Sequence, residues 1–486
     1  MMTPLAPVMD SAFMDVYAFF VPLRLIWTHS AEFFGENKTS HWTPQVTYEI
    51  PQIAAPNGGF AVQSLAEKLD NFPINIGNCE QSHLPIRAYC LIWNEWFRSE
   101  AIQDPVHITM DETTVNGLND NENWDYVTDT EKGGKLLKVN RYFDLFSSCL
   151  PEPQRGPDVT VPLGETAPIL GKNIGAITDT DLVGKELYAA GYDAGSGTVG
   201  ASIGALGVGG LDSGKAIGWV VDLQNATSAT INQLRQAYSV QRYYEALARS
   251  GGRYISMVEN LFGVTSSDAR FVRPELAGAR RFEINIDQVL QTSATDAVSP
   301  QGHTAAYSCT INAGNLATFS ATEHGIWMVL GCIRTHRSYC QGFRKEWMLK
   351  KTTDFYVPQF AHLGEVAVNN KEIYAQGDNV VDSDGNIIDD QVFGYNEAWY
   401  WMRYRPSALR GYMRTNATGT LSYWNYGDKY TSLPHLSSDW LFEGKENVQR
   451  TLAVQNQPQW LINGYIKQKW TRVLPMYSIP GLQDHF

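Results

Sequence analysis

Long apolar runs, paired cysteines and any excess of positive charge are all missing from this sequence. No stretch approaches the roughly 20 apolar residues that cross a bilayer. The nearest, VYAFFVPLRLIW, is too short and contains Pro22 and Arg24. No membrane partner is expected. Six cysteines (Cys79, Cys90, Cys149, Cys309, Cys332, Cys340) are scattered through 486 residues without a C-x-x-C spacing. That pattern argues for reduced, buried thiols and against disulfides or a metal centre. A net charge of −13 excludes a protein whose whole surface attracts nucleic acid, but leaves room for a local basic patch.

Catalytic signatures are also wanting: there is no H-E-x-x-H and no Walker loop, and the ten histidines lie singly. The run GSGTVGASIGALGVGG, Gly195 to Gly210, imitates two motifs. Gly195, Gly197 and Gly200 match G-x-G-x-x-G, yet the preceding KELYAAGYDA is no buried strand and no helix pattern follows, so the dinucleotide reading fails. Gly200, Ser202 and Gly204 match G-x-S-x-G, which needs the same strand–turn–helix setting and fails with it. The run reads as a turn-rich loop. Acidic residues cluster between Asp111 and Glu131 and again in DSDGN (382–386), but neither carries EF-hand spacing, so solvated loops and turns are expected. No catalytic, cofactor or metal site is expected, and an interaction protein outranks an enzyme.

Aromatics are plentiful: 14 Trp, 24 Tyr and 20 Phe, a surplus suited to extensive burial, including against partners. The length exceeds what one core usually supports. FMDVYAFFVPLRLIW (13–27) reads as a strand buried in its middle, with Pro22 at a bend or edge. Ile86, Tyr89, Cys90, Trp93, Trp96 and Phe97 fall at helical spacing behind Ser82 and Pro85. A second helix is expected over about 229–249, where Ile231, Leu234, Ala237, Val240, Tyr244 and Leu247 form a stripe stopped by Gly251–Gly252. RFEINIDQVLQTS, GIWMVLGCIR, TLSYWNY and WLINGYIKQKWTRVLPMYS read as strands separated by long connections, hence a β-sandwich with large insertions.

Two stretches suit phosphate or subunit contact. IRTHRSYCQGFRKEWMLKK carries Arg334, Arg337, Arg344, Lys345, Lys350 and Lys351 interleaved with Tyr339, Phe343 and Trp347. In the last expected strand Lys467 and Lys469 share a face with Tyr465 and Thr471, and Arg472 lies on the other. Lysines there also suit a guard against edge pairing.

Seven ordered blocks then carry a resemblance: FMDVYAFFVPLRLIW, LPIRAYCLIWNEWFRSEAIQDPV, PEPQRGPDV, FGVTSSDARFVRPELAGA, AHLGEVAVNNKEIYAQG, FGYNEAWYWMRYRPSALRGYMR and MYSIPGLQDHF. Together they resemble the major capsid proteins of the Microviridae, in particular the gokushovirus branch. The resemblance implies a mainly β fold, an antiparallel eight-stranded jelly roll with long loop and helical insertions. Its body would be discontinuous, 1–150 and 281–486, with an insertion at 151–280. A variable surface protrusion is expected over about 172–220, the stretch outside the matching blocks, holding Gly195, Gly197, Gly200, Gly204 and Gly207. The implied function is a T=1 shell around circular single-stranded DNA, assembled in the bacterial host cytoplasm through pentamers. Implied partners are further copies of the chain, the genome, a small basic packaging protein, other minor virion proteins and a host surface receptor. Relatives carry an N-terminal arm and first strand ahead of the block that here stands near Met1, so a chain lacking that strand is expected. The alternative is a carbohydrate-binding or carbohydrate-active β-sandwich, favoured by the Trp and Tyr surplus and separable by particle size.

Overall fold

A computed structural model describes residues 8–38, 47–55, 57–60, 62–69, 74–116, 136–153, 272–285, 288–290, 292, 301, 304–307, 310–361, 363–453 and 458–472. Between 154 and 266 it describes six short strands and the segments 231–249 and 254–265. The chain divides into two compact units: residues 1–153 with 267–486, and residues 154–266. Small antiparallel sheets dominate, with some helices, so the protein is β-rich.

The larger unit is organised by strand β1, Ala12–Pro22. Its aromatic and β-branched residues favour extended chain, and Ala18–Pro22 are all buried. The strand stops at Pro22, which lacks the N–H another ladder bond would need, and a 3-10 turn, Leu23–Leu25, follows. Helix α1, Leu84–Ile92, packs beneath the sheet region with Ile86, Ala88, Cys90 and Ile92 buried. His83, rather than Ser82, occupies the helix N-cap, but the Ser82 hydroxyl still accepts from the Leu84 N–H at 3.4 Å. The helix relaxes into a π turn, Trp93–Phe97, closed by Arg98 N–H donating to Trp93 O at 3.0 Å. That wider turn lets Trp93 reach inward while Trp96 and Phe97 meet the ring of Phe19.

Strand β2, Glu275–Ile284, and strand β3, Gly325–Thr335, flank β1 on either side, both antiparallel. The register sets Asp15 opposite Arg281 and Cys332, and a bulge between Ala18 and Phe19 shifts the β1–β2 ladder by one residue. Residues 275–280, assigned from sequence to the insertion, pair with β1. Ala279 and Gly278 are small enough to lie against Tyr17 and Ala18.

Strand β4, Glu365–Asn369, and strand β5, Val392–Glu397, form a second antiparallel pair, which Leu150 extends by two backbone bonds to Tyr395. Phe146, Val368, Ile373, Phe393 and Tyr400 make its core. A buried side chain of this size contributes about 1.5–3 kcal/mol. The DSDGN segment is a turn: Asp382 Oδ1 accepts the N–H groups of Asp384 and Asn386, and Gly385 takes φ +84°.

Two expected strands are not formed among the described residues. TLSYWNY holds a 3-10 turn at Ser422–Trp424, because Thr420 Oγ1 and the Tyr412 carbonyl capture local N–H groups. Residues 458–472 are irregular, with Leu461, Ile462, Tyr465, Ile466 and Trp470 exposed. Their alternating pattern has no ladder partner among the described residues.

In the smaller unit, 169–172 pairs with 218–221, 187–189 with 206–208, and 192–193 with 198–199, all antiparallel. These pairs are nested, so the glycine-rich run supplies returning strands, with Gly207 opposite Tyr188. Gly195, Gly197, Gly200 and Gly204 lie outside the described residues. Helix α2, Ile231–Arg249, packs on helix α3, Tyr254–Phe262, and Asn260 Nδ2 donates to Ala246 O at 2.7 Å. Of the apolar stripe, Ala237, Val240, Tyr244 and Leu247 are half-buried, while Ile231 and Leu234 are exposed.

Candidate functional site

The basic run 334–351 leaves strand β3 and crosses the second core, and its charges meet different fates along the way. Arg334, near the end of β3, is half-buried against the buried Asp15, 2.5 Å from Oδ2. Arg281 reaches Oδ1 of the same carboxylate at 2.7 Å, and the Tyr142 hydroxyl donates to Oδ2 at 2.7 Å. Burial alone would raise the Asp15 pKa, but these donors hold it below the usual carboxylate value. Both guanidiniums also lie over the Tyr142 ring, at 4.2 and 4.6 Å.

Arg337 enters a second buried set. Its Nη1 donates to Asp428 Oδ1 at 2.7 Å and its Nη2 lies 3.1 Å from Glu443. Arg141 approaches the other Asp428 oxygen at 3.3 Å while its guanidinium covers the Trp440 ring. Tyr430 and Asn447 also donate to Asp428. Desolvation pushes the Asp428 carboxyl up, yet Arg337 and Arg141 hold it lowered overall. Arg334 and Arg337 thus face internal carboxylates.

From Gly342 onward the run opens onto a groove of about 410 Å³ whose far wall comes from residues 400–414. Two fixtures hold the walls. Tyr339 N–H donates to Ser407 O at 3.0 Å, and Phe343 N–H to Lys371 O at 2.8 Å. Gly342 is required by close approach: a Cβ there would come within 2.0 Å of the Glu372 carbonyl oxygen. On the far side Thr420 Oγ1 donates to Arg414 O at 2.6 Å and Leu421 N–H to Tyr412 O at 2.8 Å.

Four cationic side chains, Arg344, Lys345, Arg410 and Arg414, and two carboxylates, Glu346 and Glu372, line this groove. Glu372 is engaged by Lys345 at 3.3 Å and by the Tyr400 hydroxyl at 2.6 Å, and Glu346 by Arg405 at 3.2 Å. Arg344, Arg410 and Arg414 make no ion pair among the described residues. Phe343 and Trp347 stand exposed on the groove, Trp347 at 79 %.

Lys350 and Lys351 are exposed, their backbone N–H groups bound by Asp354. Lys467, Lys469 and Arg472 lie on the irregular 458–472 segment, with Arg472 over the Trp470 ring. The structure therefore gathers Arg344 and Lys345, and adds Arg410, Arg414 and Tyr404, which the sequence reading did not single out. Their signal was legible in YWMRYRPSALRGYMR, where arginine and aromatic residues alternate as densely as in the run that was singled out.

The model of the family described as Capsid protein (F protein) matches residues 1–482. Three similar proteins are each named Capsid protein VP1. That of Spiroplasma virus 4 is 35% identical, over 99% of this chain and 87% of its own length. That of Bdellovibrio phage phiMH2K is 34% identical over 100% and 88%. The Chlamydia phage 1 protein is 32% identical over 99% and 88%.

Proposed function

This chain belongs to the Capsid protein (F protein) family and is a structural major capsid protein of the single-stranded DNA phage type, and we propose that about sixty copies close a T=1 shell around a circular single-stranded DNA genome. The observation that carries this is the family match along nearly the whole chain, 1–482. The antiparallel pairing of β1 with β2 and β3, drawn from segments more than 250 residues apart, supports the jelly-roll reading. The role is structural and non-enzymatic, the location is the virion, and assembly proceeds through pentamers in the bacterial host cytoplasm.

Residues about 172–220 form a surface protrusion that engages a host receptor. The nested strand pairs within 169–221 support an arm built by a long hairpin. About sixty copies at −13 repel DNA through their average field, since like charges interact across a Debye length of about 8 Å. The genome therefore needs a cationic companion, a small basic packaging protein, together with local cationic sites on the inner face. Other minor virion proteins complete the particle.

Electron cryomicroscopy of the protein expressed with a packaged genome tests this. Icosahedral shells with one protomer per asymmetric unit are expected, and a small fixed oligomer overturns the reading. Deleting 172–220 is expected to leave shells intact and abolish host attachment, and loss of assembly would refute the protrusion assignment.

A further inference from the structure

The groove beside the second core has the parts of a phosphate-and-base site, and its guanidiniums make no ion pair among the described residues. Its two carboxylates are already matched by Lys345, Tyr400 and Arg405. Among the described residues three guanidiniums that line it, Arg344, Arg410 and Arg414, from two chain segments, remain without an ion pair. Guanidiniums clustered without a local counter-charge repel one another, and a bound anion relieves that cost. Guanidinium groups suit phosphate because their planar donors meet two oxygens at once. Beside them Trp347 and Phe343 hold large aromatic faces in water, at 79 % and 58 % exposure, an arrangement that suits a stacking base. A volume of about 410 Å³ lies at the small end of the range for small-ligand pockets.

We propose that this groove binds a nucleotide unit of single-stranded nucleic acid, with its phosphates held by Arg344, Arg410 and Arg414 and its base stacked on Trp347. This rests on the reading that the shell encloses single-stranded DNA, and adds to it a specific, sequence-tolerant site on each subunit. Tolerance follows from the donor set: guanidiniums read phosphate, and any base presents a π face.

The test uses the full-length unassembled protein and fluorescein-labelled ten-nucleotide oligomers, one of thymidine and one of mixed sequence, with anisotropy measured from 50 to 200 mM salt. W347A is expected to weaken both oligomers at least about 5-fold, from the 1–3 kcal/mol typical of base stacking. The exposure of Trp347 keeps this variant folded. The combination R344Q/R410Q/R414Q is expected to reduce the slope of log affinity against log salt by about 1–2, since each phosphate contact contributes about 0.7. K138Q, on an exposed lysine elsewhere, is expected to change affinity less than 2-fold. Unchanged binding in both groove variants overturns the proposal. So does normal oligomer binding combined with failed shell closure, which would make the groove a contact between copies. Wild-type protein that binds the oligomers through the groove yet never forms shells would refute the capsid-shell reading and leave the groove assignment standing.

Discussion

The two halves of the basic run, Arg334–Arg337 and Arg344–Lys351, share a composition but not a fate. In the first half each guanidinium lies at or below 13 % side-chain exposure and faces a carboxylate from a distant part of the chain: Asp15 for Arg334, Asp428 and Glu443 for Arg337. In the second half Lys345 alone is tied to a buried carboxylate, and Arg344 faces a groove. The difference teaches that a basic stretch acquires its role from where the acids fold. Charges that meet buried acids hold the body together, and charges left unmatched are available to a partner.

Removing the central acid of the buried half should break the comparison most severely. D428N leaves Arg337 and Arg141 in a low-dielectric site with their main counter-charge gone, and a loss of about 3–5 kcal/mol is expected in urea unfolding followed by Trp fluorescence. The pH dependence has a definite sign. The folded Asp428 and Asp15 pKa values lie below the unfolded value of 3.8. Their stabilisation is therefore complete above about pH 4 and disappears as pH falls toward the folded values. A wild-type acid transition identical to that of D428N would contradict this account.

A second buried group adds an earlier component. His83 Nδ1 accepts from Arg87 Nε at 3.2 Å, and burial, reinforced by the Arg87 charge, lowers its pKa to about 3. Between pH 6.5 and about 3 the unfolded chain binds a proton that the folded chain refuses. Stability should fall by about 1.4 kcal/mol per pH unit on that account, roughly 2 kcal/mol by pH 5. H83N removes the titration, so its stability should be nearly flat between pH 6.5 and 5.

Smaller still is D15N, about 1–2 kcal/mol, since Arg281 is 53 % exposed and water can replace its partner. The smallest effect belongs to the groove. R410Q should change unfolding stability by less than about 0.5 kcal/mol, because the exposed Arg410 makes no ion pair among the described residues. A loss comparable to that of D15N would erase the distinction between the two halves.

Much of the framework was legible in local sequence. The aromatic, β-branched run that became β1 and the 3.6-residue spacing that became α1 and α2 announce themselves within a dozen residues. The partners of β1 were harder, because a strand's pattern states which face is buried and not which strand lies beside it. TLSYWNY misled for a related reason: alternation survives in a segment whose N–H groups are taken by Thr420 and neighbouring carbonyls. The groove was half legible. Arg344 and Lys345 stood out as a charge run, whereas Arg410 and Arg414 join them only because Tyr339 pairs with Ser407–Ala408 across the second core. Arg337 was grouped from sequence with charges suited to phosphate or subunit contact; its internal partner Asp428, 91 residues away, gives no local hint of its approach.

Strand β1 has one more consequence, and it concerns time. Ala12 pairs with Ile284 on one side and with Thr335 on the other, the latter 323 positions later (335 − 12). At about 5–20 residues per second a ribosome takes roughly 16–65 s to deliver that second neighbour. Until residues 275–284 emerge YAFFV has neither edge paired, and until 325–335 follow its second edge stays open. Long-range pairing of this kind is intrinsically slow and leaves nascent chains prone to aggregate. The yield of folded subunits is thus limited by how well the host shelters this segment during synthesis. A greater holdase supply is therefore expected to raise the soluble yield of the expressed chain, measured as the soluble fraction.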